Sequence, residues 1–175
     1  MPESAVPDPA DTPWTQQRLL DELTALGIPF DHRDHPAVFT VEAAREHWAT
    51  LPGLPVKNLL LKDAGGRLWL VVAPAEDPVD LKALPKRIGS KRLSFAGPAE
   101  LAATLAVQAG SVTPLAVVND RDRRVSIVLD SSLAGAARIQ VHPLVNTATI
   151  ALAGTDAVRF LTHHGHPPAV VQLEG

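Results

Sequence analysis

Two short stretches carry residue types and spacing that could do chemistry. The first is a loop of five residues: Gly110, Ser111, Val112, Thr113 and Pro114. Glycine widens the backbone angles open to such a loop and proline fixes its own φ, so the N–H groups between them can turn toward one point and cradle a small polar ligand. In the second stretch, Lys57 carries a fixed charge and Asn58 can both donate and accept hydrogen bonds, just before an apolar run. We expect the two stretches to meet in one pocket.

Other polar clusters do not by themselves indicate a metal centre or a serine hydrolase. His163, His164 and His166 are close in sequence, but no acidic or thiol partner stands at helical ligand spacing around them, so we predict no metal. Ser111 and the pair Ser131-Ser132 lack a neighbouring general base in sequence. A nucleophilic serine is therefore not predicted from these residues.

His142 is a further candidate, because it follows an apolar run and precedes a proline that restrains its backbone. The run should place its ring at the end of a core strand. Position alone fits a core histidine and the wall of a pocket equally well.

Four motifs occur in a characteristic order: residues 35–42, 57–59, 110–114 and 141–149. In that order and spacing they resemble the YbaK/prolyl-tRNA synthetase-associated editing-domain superfamily. Within it the chain is most similar to the free-standing alanyl-tRNA(Pro) deacylases, the ProXp-ala or PrdX subgroup. The resemblance runs from about Trp14 to Leu173 and implies the fold of that superfamily.

The resemblance also implies roles for individual residues. The catalytic groups would be Lys57, Asn58 and Gly110. The loop, His142 and Phe39 would bind the substrate, with the histidine selecting the amino acid by its shape and hydrogen bonding rather than transferring a proton. No cofactor is implied.

The implied reaction is hydrolysis of the ester that joins a wrongly attached amino acid to the terminal adenosine of tRNA. Such an ester is already activated, so positioned water, a substrate hydroxyl and oxyanion stabilisation by loop N–H groups can suffice without a protein nucleophile. We expect alanine to be removed from tRNA(Pro) while prolyl-tRNA(Pro) is spared, by a monomer that associates transiently with prolyl-tRNA synthetase. The alternatives are a deacylase for cysteinyl-, seryl- or threonyl-tRNA and a non-catalytic module that binds an amino acid or a tRNA end.

Composition narrows the setting. The 175 residues are 46% hydrophobic and fit one globular domain, and the lack of cysteine excludes disulfides and a thiolate nucleophile. The net charge of -3 argues against a general nucleic-acid coat, so tRNA contacts need a local basic patch. We place that patch at Lys57, Lys62, Lys91 and Arg92. No leader or membrane-spanning apolar segment is evident, which predicts a cytoplasmic protein with no membrane partner.

The elements that must position these groups follow from periodicity and turn residues. We predict a flexible tail over 1–11, which holds three prolines, and a single editing domain over 12–175. Thr12 should cap the first helix, and Thr40 should cap a second helix from Val41 to Trp48. Residues 51–55 would form a mobile flap beside Lys57.

The sheet and the remaining helices follow from β-branched runs and caps. Further helices are expected to begin at Asp80, at Pro98 and at Thr155 or Asp156. Strands are predicted at 28–32, 58–62, 67–73, 115–118, 125–129, 139–141, 147–152 and 169–173. The predicted fold class is α/β: one curved, mixed, barrel-like β-sheet flanked by helices.

Overall fold

An eight-stranded mixed sheet organises the chain. The computed structural model describes residues 12–38 and 40–173; the predicted tail lies outside them. The strands are β1 (Asp31–Asp34), β2 (Leu54–Asp63), β3 (Leu68–Pro74), β4 (Leu93–Phe95), β5 (Val125–Asp130), β6 (Ile139–Val141), β7 (Ala148–Leu152) and β8 (Ala169–Val171). Their order is β1-β7-β6-β2-β3-β5-β8, with β4 paired to β2. The predicted α/β class with a mixed sheet is confirmed, and the order leaves β1 and β8 as open edges.

Helices flank this sheet. They are α1 (Gln16–Ala25), α2 (Val41–Trp48), α3 (Leu84–Ile88), α4 (Pro98–Leu105), α5 (Ser131–Ala134) and α6 (Gly154–His163), with two 3-10 helices at Ala109–Ser111 and Pro114–Asn119. Within the described ranges, no helix is long and apolar enough to span a bilayer.

Strand β2 has a gap in its pairing that matters for function. One edge pairs antiparallel with β3 from Val56 to Lys62. The other edge pairs with β6 only at Leu54 and Pro55, and with β4 only from Leu61 to Asp63. Over the described residues, the middle of this second edge, 56–60, has no strand partner. A cleft therefore opens between β6 and β4 along β2.

Two apolar clusters cover opposite faces of the strands. Val56 and Leu60 pack against the larger cluster, whereas Leu59 and Leu61 belong to the smaller one. Because side chains alternate along a strand, Asn58 shares the face of the larger cluster and Lys57 the opposite face. Each fully buried leucine contributes about 1.5–3 kcal/mol to stability, which holds this register firmly.

Several predicted elements are confirmed. Helix α2 runs from Val41 to Trp48, and the side chain of Thr40 accepts a hydrogen bond from the Ala43 N–H at 3.1 Å. Helix α4 begins at Pro98, as expected for a residue whose missing N–H costs nothing there. The predicted strands at 58–62 and 67–73 form the β2–β3 hairpin.

The strand predicted at 115–118 is wrong. These residues form the 3-10 helix Pro114–Asn119, and its apolar side chains are buried in the larger cluster. Pro114 starts that helix, and the hydroxyl of Thr113 accepts a hydrogen bond from the Leu115 N–H at 3.4 Å. An apolar run buried on all sides has no periodicity that distinguishes a strand from a short helix.

Other boundaries also differ. Thr15, not Thr12, caps α1 by accepting from the Arg18 N–H at 3.2 Å. The strand predicted at 28–32 is shifted to β1, whose four residues are all exposed. The helix predicted from Asp80 is α3, which begins at Leu84 after turns, and the three-residue strand β4 was not predicted.

Candidate active site

A hydrogen bond joins the two stretches that carry the predicted chemistry. The side-chain Nδ2 of Asn58 donates to the main-chain carbonyl of Val112 at 3.1 Å. Asn58 lies on the unpaired edge of β2, and Val112 follows the 3-10 helix Ala109–Ser111. The Oδ1 of Asn58 is buried, and no donor within the described part of the chain reaches it. A buried acceptor without a partner costs free energy, so a donor brought within hydrogen-bond distance of this atom would be stabilising.

A small cavity of about 30 Å³ opens beside Asn58. Its walls come from α2 and from strands β2, β6 and β7: Trp48, Val56, Asn58, Gln140, Val141, His142 and Thr149. One probe-sized water needs roughly 10–15 Å³ by the same measure. The space therefore accepts a group of about one or two heavy atoms.

Gln140 lines this cavity and holds a neighbouring segment of the chain. Its Nε2 donates to the carbonyls of Trp48 at 2.9 Å, Leu51 at 3.1 Å and Gly53 at 3.3 Å. Glycine is required at position 53, because φ is +106° and a Cβ there would stand 2.7 Å from the Arg138 backbone. These contacts tie the segment that was predicted as a flap to the strand below it; its mobility stays a prediction.

His142 lies in the cavity wall as a neutral ring. Its Nδ1–H donates to the carbonyl of Ala148 at 3.0 Å, which leaves Nε2 as the acceptor. Burial lowers the pKa of His142 below its ordinary value of 6.5; the Ala148 hydrogen bond opposes this and the nearby His35 adds to it. The ring therefore offers shape and an acceptor rather than a positive charge.

The glycine of the loop lies where space for a side chain is tight, and it does not use the backbone angles that favour glycine. Gly110 does not adopt a positive φ, contrary to the reasoning from sequence. A Cβ at this position would stand 3.2 Å from the side-chain Nδ2 of Asn146, so any side chain would press on that amide. The N–H of Ser111 is already donated to the Gln108 carbonyl at 2.9 Å, which removes one of the N–H groups expected to face the ligand.

Lys57 stands apart from the cavity. Its Nζ donates to the main-chain carbonyl of Asp77, on the face of β2 opposite to Asn58. The expectation that Lys57 and Asn58 meet in one pocket is therefore met by Asn58 alone in this structure. The catalytic role of Lys57 stays a prediction.

The other predicted tRNA contacts lie toward the far end of β2. Lys62 Nζ pairs with Glu100 Oε1 at 3.1 Å, and this pair is exposed. Lys91 and Arg92 are exposed and directly precede β4. Phe39, predicted to bind substrate, lies outside the described residues.

Several residues of the site were missed by reasoning from sequence. Thr149 receives or donates a 2.8 Å hydrogen bond with His35 Nε2, whose ring stacks on His47 at a centroid distance of 4.6 Å. Thr149 and Asn146 stand in the motif that contains His142, which was the available signal. Nothing in the sequence marks Gln140, because its three carbonyl partners come from a segment distant along the chain.

One cluster away from this cavity has the composition of a metal site. Glu22, His163 and His164 place one ligand atom each within 4.8 Å of one another. The sequence argument against an acidic partner was therefore incomplete, because α1 brings Glu22 next to the end of α6. None of the three residues lines the Asn58 cavity.

The chain is similar to known proteins over most of its length. Residues 35–160 match the model of the aminoacyl-tRNA editing domain family. The chain is 37% identical over 161 residues to prolyl-tRNA synthetase associated domain-containing protein 1 of Danio rerio, covering 91% of this chain and 88% of that protein. It is 35% identical over 159 residues to prolyl-tRNA editing protein ProX of Acetoanaerobium sticklandii, covering 90% and 97%.

Two further comparisons bear on specificity and on fold. The multifunctional Ser/Thr-tRNA deacylase ProXp-y of Escherichia coli is 33% identical over 103 residues, covering 57% of this chain and 62% of that protein. The crystal structure of hypothetical protein APE2540 superposes with a TM-score of 0.69 at 19% identity, covering 87% of this chain and 98% of that chain. The second likeness concerns the fold alone.

The state of His142 can be measured directly. Because burial lowers its pKa, the ring should titrate below pH 6.5 in the folded protein and near 6.5 after unfolding in urea. The unfolded chain then binds more protons between these two values, so the free energy of unfolding should fall as the pH drops below 6.5. NMR titration of the His142 ring protons measures both pKa values, and a folded pKa above 6.5 would contradict the neutral-wall description.

Proposed function

The chain belongs to the aminoacyl-tRNA editing domain family, and from that premise we propose that it is a trans-editing deacylase that hydrolyses mischarged Ala-tRNA(Pro) and spares Pro-tRNA(Pro). The observation that carries this proposal is the cavity of about 30 Å³ next to the unpaired Oδ1 of Asn58. A methyl side chain fits such a space. The ring of proline is larger and would overlap the cavity wall, and overlap rejects a substrate more firmly than a missing contact does.

The residues divide the work of the reaction. Asn58 Oδ1 accepts a hydrogen bond from the substrate ribose or from the attacking water, while its Nδ2 holds the loop through Val112. The remaining N–H groups of the loop stabilise the oxyanion, and His142 and Trp48 enclose the amino-acid side chain. The water attacks the ester carbonyl carbon, a substrate hydroxyl assists in taking its proton, and the ribose oxygen leaves with a proton.

Lys57 acts from the opposite face of β2. Its flexible amine exchanges the Asp77 carbonyl for a ribose or phosphate oxygen that reaches the strand edge. Lys62, Lys91 and Arg92 contribute to holding the tRNA. Few such cations are involved, which fits a chain whose overall charge is -3.

Hydrolysis of mischarged seryl- or threonyl-tRNA is the second candidate function. Its support is the similarity to the Ser/Thr-tRNA deacylase, which spans 57% of this chain. Serine adds one heavy atom to alanine, a difference of only about 1–3 kcal/mol in such a pocket. A cysteinyl-tRNA deacylase and a module that binds without turnover are further alternatives. In each case we propose a cytoplasmic monomer with the domain at 12–175. For the alanyl-tRNA(Pro) deacylase we also propose a transient association with prolyl-tRNA synthetase.

The substrate is identified by a panel of aminoacylated tRNAs. Alanyl-, seryl-, threonyl-, cysteinyl- and prolyl-tRNA(Pro) are incubated with the protein, and loss of each ester is followed against spontaneous hydrolysis. Alanyl-tRNA(Pro) should be cleaved fastest and prolyl-tRNA(Pro) not measurably. Equal rates for alanine and proline would refute the cavity as the selecting feature, and no turnover on any member would leave a binding module.

Substitutions on the two faces of β2 separate their roles. Asn58→Ala removes the group at the cavity and Lys57→Ala the charge on the other face, and each should lower kcat/KM by roughly one to three decades, about 2–4 kcal/mol. Lys82→Ala removes an exposed lysine away from β2 and is the control for loss of one positive charge. Near-wild-type turnover by folded Lys57→Ala protein would remove that residue from the site.

His142→Ala distinguishes a steric wall from a general base. A wall predicts a larger cavity, a weaker preference for alanine and measurable hydrolysis of a bulkier aminoacyl ester. A base predicts uniform loss on all esters and a wild-type rate that follows one histidine titration between pH 5 and 8. Alanyl-tRNA(Pro) and one bulkier aminoacyl-tRNA are therefore assayed across that pH range with the wild-type and His142→Ala proteins.

A further inference from the structure

A groove separate from the small cavity is also lined by Asn58. It has a volume of about 210 Å³, and its walls include Asn58, Leu60, Phe95, Pro98, Leu101 and Val112. Asn58 is thus shared by the two spaces. A ligand centred on Asn58 can extend into both.

Phe95 is exposed in a way that packing does not explain. Its exposed fraction is 66%, and among the described residues the other large exposed apolar side chains are Leu54 and Val170. Of these three, Phe95 alone lines a groove that reaches Asn58. It ends the short strand β4, whose partner in the sheet is β2. A flat aromatic ring held on a strand at the mouth of a groove is a stacking surface for a ring of the ligand.

The two spaces differ in size in the way that the two ends of an aminoacyl ester differ. The cavity of about 30 Å³ accepts a side chain of one or two heavy atoms, whereas the groove of about 210 Å³ accepts a planar bicyclic base. We propose that the groove binds the adenine of the terminal nucleotide, stacked on Phe95, with the ribose at Asn58. This inference rests on the proposed function, since it assigns the other half of the same substrate.

The charges around β2 agree with a nucleotide lying there. In the β2–β4 ladder, Phe95 is opposite Leu61, directly beside the stretch of the β2 edge that has no strand partner, and its ring lines the groove from that edge. Lys91 and Arg92 directly precede β4. The one phosphate of the terminal nucleotide, on the 5′ side of its ribose, can therefore meet a cation. The nearby Glu100 is paired with Lys62 at 3.1 Å, which offsets its negative charge.

The kinetic test uses the full chain with alanyl-tRNA(Pro). Phe95→Ala should raise KM roughly tenfold with little change in kcat, because stacking on one base is lost in substrate and transition state alike. Phe95→Trp should keep the wild-type KM, and Val170→Ala, an exposed apolar residue on β8, is the matched control. Equal melting temperatures of the variants and the wild-type protein exclude a folding defect. None is expected, because Phe95 is exposed.

A second substrate shows that the base itself is what Phe95 contacts. With wild-type protein, alanyl-tRNA(Pro) that has an abasic terminal nucleotide should show about the same tenfold rise in KM. With Phe95→Ala protein this substrate should show no further rise, since the two changes remove the same contact. Independent, multiplying losses, or a Phe95→Ala protein within twofold of wild type, would overturn the proposal while leaving the deacylase function standing. Absence of hydrolysis by wild-type protein would instead overturn the proposed function, and the assignment of the groove with it.

Discussion

The missing strand partner along the middle of β2 is the constraint on which the rest of the site depends. Strands β6 and β4 pair with opposite ends of the same edge and leave 56–60 between them. No neighbouring strand covers this stretch of the β2 edge, so other parts of the chain can approach it. The 3-10 helix Ala109–Ser111 and the loop after it fill part of the gap and are held by the hydrogen bond from Asn58 to Val112. Both spaces that we assign to substrate end on this one asparagine.

The chemistry available at this gap differs from that of a hydrolase with a nucleophile. His142 is partly buried, its pKa is lowered by that burial, and its Nδ1–H donates to the Ala148 carbonyl. The carbonyls that face Gln140 are also occupied. Among the described side chains that line the cavity, the buried acceptors Asn58 Oδ1 and Gln140 Oε1 have no hydrogen-bond partner, and neither is a nucleophile. The role that we propose for the site is therefore to place an activated ester and a water rather than to attack the ester itself. Selection among amino acids then rests on the shape of the cavity. A larger side chain is rejected by overlap with the cavity wall, without a further functional group.

Local signals in the sequence were sufficient for part of the fold and of the site. The Thr40 cap, Pro98 and the alternating runs of the β2–β3 hairpin act over a few residues, and these predictions are confirmed. The run after Pro114 could not be resolved, because burial on all sides removes its periodicity. The opposite faces taken by Lys57 and Asn58 follow from strand alternation, but only once the strand is known to begin at Leu54. The cavity, the groove and the Gln140 contacts depend on residues far apart in sequence, which no local pattern encodes.

The central claim is that Asn58 contacts the substrate between its two ends, with the alanine side chain in the small cavity. A crystal structure with alanine joined to the 3′ position of adenosine through an amide, which the enzyme cannot hydrolyse as an ester, tests it most directly. The account predicts the methyl group between Trp48 and His142, and a ribose hydroxyl or ordered water within hydrogen-bond distance of Asn58 Oδ1. An analogue bound with its alanine outside that cavity, with Asn58 Oδ1 still unpaired, would contradict it.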